Sequence, residues 1–499
     1  MIVYNVPEKI TLDHDKYLDR MQACWIGKNI GGTMGTPYEG TKEYLDIQGF
    51  VTKPGEVLPN DDLDLQLLWL KAVKRFGPYD LDCKKLGEYW QSFTTPNWNE
   101  YGIGKLNMAR GMYPPLSGDY DNSWRDSNGA WIRTEIWACL CPGLPDLAAH
   151  YAIEDAMVDH GVGEGTIAAA FVAAMEAAAF TLPDLRSCIE LGLSRIPAAS
   201  RTAISVRLAM ECYDKELTPK KARETIRLSN SDIGDGWFEA PSNVAYTVLG
   251  LLYGEGDFKR SMITAINCGD DTDCTGATVG AMMGLLYGLE GIPKDWREYI
   301  GDAIVTCSLN TTLRTKFPKT TAELSRDVDE MAPIVMFASR QMPDDQVCVF
   351  GERDEIPADV KELYAAHNKT LPRLEALAPY SFTQSFGPLC VTVTHAEAPE
   401  LSPLGSASVS VRLENPYVLY GNLPYNLSVD WILPEGFSVS GPKALRLLHH
   451  TKDSRPYYVT ADYEITAGEE VDAVNEVILV IKAEGRVSEA LVPLHFMGV

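Results

Sequence analysis

The chain has 499 residues and a formal net charge of -25, from 69 acidic against 44 basic side chains. That surplus argues against nucleic acid or an anionic membrane as a partner, since both need clustered Lys and Arg, and the length calls for two or three domains rather than one core. The eleven cysteines are odd in number and form no CxxC pair, so buried or free thiols in a reducing compartment are expected, not a disulfide framework.

At the start, Met1–Glu8 lacks a basic segment followed by an apolar one, so no signal peptide is expected and the location is read as cytoplasmic. Gly27, Gly31, Gly32 and Gly35 follow. They do not match GxGxxG and no βαβ pattern surrounds them, so close helix packing is the simpler account than a phosphate loop. Up to about residue 340 apolar residues recur at spacings of three and four, which predicts helices over Leu65–Val73, the Ala-rich Glu164–Phe180 and Pro241–Tyr253, where proline suits a first helical turn. From Thr275 to Leu289 the run is too short and loose to span a bilayer. Its glycines, Gly276, Gly280, Gly284 and Gly288, fall on one helix face and admit a neighbouring helix.

A charged, proline-containing connector over 341–385 carries one expected helix around Ala358–His367. The period then changes to two. Ala407–Leu413, Asn426–Ile432, Tyr457–Ile465 and Val474–Ile481 read as strands between turn residues such as Pro434-Glu435-Gly436. Residues 386–499 are therefore expected to form a β-sandwich of immunoglobulin-like type, behind a mainly α domain over 1–340.

Two acidic clusters stand against apolar runs, Asn60-Asp61-Asp62-Leu63-Asp64 and Asp270-Asp271-Thr272-Asp273. Burying several like charges costs several kcal/mol per unpaired ion unless a cation neutralises them. Hard oxygen donors with almost no His or Cys point to Mg, with Mn or Ca as alternatives, rather than Zn. A plain capping role at two helix starts is the competing account, and the two are compatible. Asp64 lies three residues from Asp61 on one helix face, as a ligand, an outer-shell partner or a solvated charge.

In order and spacing over about residues 20–310 the chain resembles the ADP-ribosylglycohydrolase family. The matching blocks are the glycine-rich stretch ending in Glu39, then Asn60-Asp61-Asp62, Asn128-Gly129-Ala130-Trp131-Ile132-Arg133, Pro142-Gly143-Leu144-Pro145, Asp159-His160, and Gly269–Ala277. The resemblance implies an orthogonal helical bundle holding two divalent ions, with Asn60, Asp61, Asp62, Asp271, Asp273 and Cys274 as the ligand set. It further implies catalytic roles for Glu39, Asp62 and Asp271, and a substrate cleft lined by Asn128, Gly129 and His160. Arg133 is left outside the catalytic set as a structural ion-pair partner. Gly32, Asn60 and Cys274 depart from the family's aspartate and threonines, and a soft sulfur is a poor Mg ligand.

The expected activity is metal-dependent hydrolysis of the N- or O-glycosidic bond of an ADP-ribosyl or related glycosyl substrate, small or protein-linked. Alternatives are a glycosidase on a sugar other than ADP-ribose, and a binding protein without turnover. A Mg-dependent diphosphate enzyme is a further alternative, although the third aspartate comes one position early for DDxxD. The sandwich is a candidate module for homo-oligomer contacts.

Overall fold

A computed structural model describes residues 9–234, 237–310, 316–338, 347–386, 389–415, 425–448, 458–487 and 489–499. Met1–Glu8, the expected 340/341 boundary and Tyr457 lie outside them. The chain forms two compact units, one from Met1–Gly102 with Asn122–Ala376, the other from Ile103–Asp121 with Leu377–Val499.

The first unit is helical. The expected helices appear as Asp61–Phe76, Glu164–Ala178 and Ala240–Gly254, the last with Pro241 in its first turn. Several starts are capped by side chains: Asp82, Asp184, Ser200, Thr218 and Asp257 each accept a backbone N–H of the first turn. Glu164–Ala178 is apolar almost all round and almost wholly buried, the expected fate of such a helix in a large domain. Trp25, Trp69, Trp90, Trp131 and Trp137 fill the core. Residues Val360–Ala366 form a helix, and two short strands, β1 (Lys9–Asp13) and β2 (Val347–Gly351), pair in parallel.

At the centre the His14–Gly35 helix lies against the Thr272–Tyr287 helix at backbone contact. A Cβ on Gly31 would fall 2.1 Å from the Gly276 carbonyl, and one on Gly27 would fall 2.1 Å from the carbonyl oxygen of Gly280. The four-residue glycine spacing on both helices is what permits this approach. It supports close helix packing over a phosphate loop.

The second unit carries two five-stranded sheets. Its strands are β3 (Ser381–Ser385), β4 (Cys390–His395), β5 (Glu400–Leu401), β6 (Ser406–Glu414), β7 (Tyr425–Ile432), β8 (Ser438–Ser440), β9 (Ala444–Leu447), β10 (Tyr458–Thr466), β11 (Val474–Ala483) and β12 (Glu489–Gly498). The orders are β3-β4-β6-β10-β8 and β5-β12-β11-β7-β9. Alternating residues of both sheets, including Val391, Val411, Ile465, Val429, Leu479 and Phe496, share one apolar core, as two stacked sheets require. Met112, Leu116 and Tyr120 join it. All eleven cysteines are free, and no helix among the described residues is long and apolar enough to cross a membrane.

Candidate metal centre and cleft

Helix ends bring the acidic residues together. A Cβ on Gly35 would fall 2.4 Å from the Asp273 Cα, and the Thr272 hydroxyl donates to the Gly35 carbonyl at 2.9 Å, so the first helix ends on the start of the other. The loop beyond is tied down twice: Gly40 N–H donates to the Asp270 carbonyl at 2.8 Å, and Asp270 N–H to the Thr41 carbonyl at 2.6 Å. Glu39, exposed in that loop, thereby reaches Asp271 and Asp273.

Ligand atoms of Glu39, Asp271 and Asp273 lie within 4.8 Å of one another, and so do those of Asp62, Asp273 and Cys274. Asp273 belongs to both groups. Both carboxylate oxygens of Asp62, with Oδ1 of Asp271 and Oδ1 of Asp273, are buried without a hydrogen-bond partner among the described residues. Buried polar atoms are rarely left so. Burial pushes the pKa of all three aspartates well up, and like charges add to it: Asp273 and Asp61 on Asp62, Glu39 on Asp271, and Asp271 on Asp273. Unmet carboxylate oxygens in two adjoining groups fit hard divalent cations. The Cys274 sulfur is a soft donor in the second group and a poor one for Mg, and without a cation burial and the neighbouring carboxylates push its thiol pKa well up.

The remaining sequence candidates take distinct places. Asn60 caps the Asp61–Phe76 helix, its Oδ1 accepting Asp62 N–H at 2.8 Å. Its Nδ2 sits 2.1 Å from where a Gly32 Cβ would be, so the two departures from the family pattern fit each other: an aspartate at 32 would collide with this Asn60. Asp61 accepts the Tyr101 hydroxyl at 2.8 Å. Asp64 turns to another loop, where its Oδ2 accepts Cys307 N–H at 2.7 Å and Ser308 N–H at 2.6 Å; burial pushes its pKa up to about 7 against those bonds. Asp270 is held by Phe238 N–H and the Asn243 amide, and the Thr275 hydroxyl bonds back to Thr272. Asn128 spends both ends within the protein, donating to Asp271 Oδ2 at 2.7 Å and accepting Trp131 Nε1–H at 2.9 Å.

A cleft of about 360 Å³ opens over this centre, with Glu39, Asp61, Asp271 and Asp273 in its wall and Trp98, Ser127 and Gly129 around them. His160 is fully buried one layer back, between Asp159 (Nδ1 to Oδ1, 2.9 Å) and the Ser127 hydroxyl (3.3 Å from Nε2). Sequence reasoning missed Glu100, in the cleft wall, and Lys28 with Glu135 behind Asp62. Lys28 is buried with its Nζ 2.7 Å from Glu135, and it carried one signal: a lysine inside the buried, glycine-rich second half of its helix.

Arg133 braces the layer beneath. Fully buried, it bonds Asp155 at 2.8 Å and both oxygens of Asp159 at 2.8 and 3.1 Å. Burial alone would push Asp159 up, but Arg133 and His160 outweigh it and hold the carboxyl at about 2; Asp155, also buried and pushed up, stands at about 7 despite Arg133. The depressed Asp159 contributes stability that is present above about pH 4 and lost on acidification toward pH 2. Arg133→Met is expected to cost about 3–5 kcal/mol near neutrality, because two buried carboxylates lose their partner. Urea titrations at pH 7 and near pH 3 check it: the deficit shrinks in acid, where the two carboxyls, once Arg133 no longer holds them ionised, are protonated in the variant.

The ADP-ribosylglycohydrolase family model matches residues 13–327. An ADP-ribosylarginine hydrolase of Pseudomonas putida is 29% identical over 311 residues, 58% of this chain and 76% of that protein. An uncharacterised protein of Archaeoglobus fulgidus is 23% identical over 304 residues, 57% of this chain and 92% of that one. A solved ADP-ribosylglycohydrolase-related protein complex aligns with TM-score 0.41 and 21% identity, covering 64% of this chain and 99% of that one. With the family model spanning well over half of the sequence, the chain belongs to the ADP-ribosylglycohydrolase family and is a glycosyl hydrolase.

Proposed function

We propose that the cleft hydrolyses the glycosidic bond between an ADP-ribosyl group and a protein side chain or small acceptor, with two divalent cations, Mg first, held by Asp61, Asp62, Asp271 and Asp273. The observation that carries this reading is the set of buried, partnerless carboxylate oxygens on Asp62, Asp271 and Asp273 beneath an open cleft. The Pseudomonas putida relative, an ADP-ribosylarginine hydrolase, supports an ADP-ribosyl substrate. A cytoplasmic setting, where thiols stay reduced, suits eleven free cysteines.

When bound, such cations supply Lewis acidity and positive charge. The chain's own residues do the rest. Asn128 fixes the Asp271 carboxylate by the 2.7 Å bond and so sets how the ribose is received. Glu39, at the exposed rim beside Asp271 and Asp273, takes the proton of the attacking water; burial and Asp61 raise its pKa, which suits a base that must also give the proton up. The carboxylates around the ring stabilise the oxocarbenium-like transition state. His160, locked by Asp159, orients the Ser127 side of the cleft.

Asp61→Asn and Asp273→Asn, made singly, test the assignment by calorimetry with Mg and Mn and by release of ADP-ribose from arginine- and serine-linked substrates. Each is expected to weaken metal binding at least tenfold and to lower turnover by about 10²–10⁴. Unchanged metal affinity in both variants contradicts the ligand set. Turnover of simple aryl glycosides with none of ADP-ribosyl substrates moves the activity to another sugar.

A further inference from the structure

We propose that Glu100 is the general acid of this cleft, giving its proton to the nitrogen or oxygen that leaves the anomeric carbon. The proposal rests on the hydrolase reading above and adds a group outside the metal set.

Glu100 lies in the cleft wall and is 5% exposed. Its Oε1 occupies the space beside Gly129: a Cβ there would fall 2.2 Å from Oε1 and 3.2 Å from the His160 ring, so the absence of a side chain at 129 is what admits the carboxyl group. The Ser127 hydroxyl hydrogen-bonds Glu100, and the same hydroxyl meets His160, which Asp159 and Arg133 hold in place. Oε2 is buried with no hydrogen-bond partner among the described residues. A carboxyl whose free end has no hydrogen-bond partner among the described residues can find one on a substrate. Asn128, next to Gly129 in the chain, bonds Asp271, so one backbone step separates the metal-side carboxylates from Glu100.

The charges facing Glu100 are His160 and Asp159. Burial raises its pKa, the nearby imidazole opposes that, and Asp159 adds to it. A buried carboxyl with a raised pKa beside a second, ionised carboxylate is a recurrent division of labour in glycoside cleavage. In the step itself the bond at the anomeric carbon breaks and its electron pair stays with the leaving nitrogen or oxygen, which takes the Glu100 proton. Water supplies the new hydroxyl, and its released proton passes by way of Glu39 to solvent, from which Glu100 is reprotonated.

Glu100→Gln keeps the shape and removes the proton. On an ADP-ribosylated arginine or serine peptide kcat is expected to fall by about 10²–10⁴ with KM little changed, whereas on an ADP-ribosyl para-nitrophenyl ether, whose leaving group departs unprotonated, it falls by less than about tenfold. Mg affinity by calorimetry stays at the wild-type value. Equal losses on both substrates, or no loss on either, overturn the proposal. If Glu100→Gln loses metal affinity, Glu100→Asp decides on the same pair: a larger loss on the peptide than on the ether supports the acid role, and equal losses overturn it. Wild-type protein that turns over neither substrate overturns the hydrolase reading, and the acid role with it.

Discussion

Asp62→Asn is expected to raise the melting temperature of the metal-free protein by about 2–4 °C while abolishing the further rise that saturating Mg gives the wild type. The sign follows from what surrounds the residue. Both Asp62 oxygens are buried without a hydrogen-bond partner among the described residues, and burial, Asp273, Asp61 and Glu135 oppose its ionisation while Lys28 favours it. Without metal the folded chain must therefore hold a carboxyl that prefers to be neutral, whereas the unfolded chain ionises it freely at pH 7. A neutral amide of the same size removes that cost. With metal the balance reverses: a ligand at one hundred times its Kd stabilises by about 2.7 kcal/mol, and the variant forfeits that gain. Scanning fluorimetry of both proteins, with chelator and with Mg, checks it. A variant that melts below wild type in chelator contradicts the expectation that Asp62 is costly on its own.

Gly31→Ala is expected to destabilise the helical unit by about 3 kcal/mol and to lower metal affinity with it. The added methyl would sit 2.1 Å from the carbonyl carbon and oxygen of Gly276 and 2.4 Å from Ala277 N, and these are backbone atoms that no rotamer change can move. To relieve the clash the His14–Gly35 and Thr272–Tyr287 helices must part. Because the first leads into Glu39 and the second begins at Asp271–Asp273, any separation opens the metal centre as well. Gly49→Ala is the control, since nothing among the described residues lies within 4 Å of its Cβ position. Circular dichroism melts and Mg calorimetry on the two variants should diverge; equal behaviour argues that the helix contact is not what sets the geometry.

The helical half of the fold was legible because it rests on local periodicity. Leu65–Val73, Glu164–Phe180 and Pro241–Tyr253 each show the period of three to four, and the glycines at 276, 280 and 284 announced a close helix neighbour. The strands Ser406–Glu414 and Val474–Ala483 were legible from alternation. The β1–β2 pair was not, since each strand has five residues and its partner comes from the far end of the unit's sequence. Nor did any local signal assign Ile103–Asp121 to the second unit, because that depends on which core Met112, Leu116 and Tyr120 enter.

At the site the contrast is similar. Asp61, Asp62, Asp271 and Asp273 stood out because like charges beside apolar runs demand an explanation. Glu100 did not, because a single glutamate near a helix start looks like any solvated first-turn charge. Only the empty space at Gly129 and the Ser127–His160–Asp159 chain behind it reveal its setting. Asn128 and His160 came from family motifs, yet their polar atoms are engaged by Asp271, Trp131, Asp159 and Ser127, so their influence on a substrate runs through those neighbours.

Crystals soaked in Mn offer the most direct measurement, through the anomalous difference density. Two peaks are predicted among Asp61, Asp62, Asp271 and Asp273, with Asp273 common to both. A map with no peak in the cleft, or with Mn bound only at surface carboxylates elsewhere, would contradict a dinuclear centre as the heart of this enzyme.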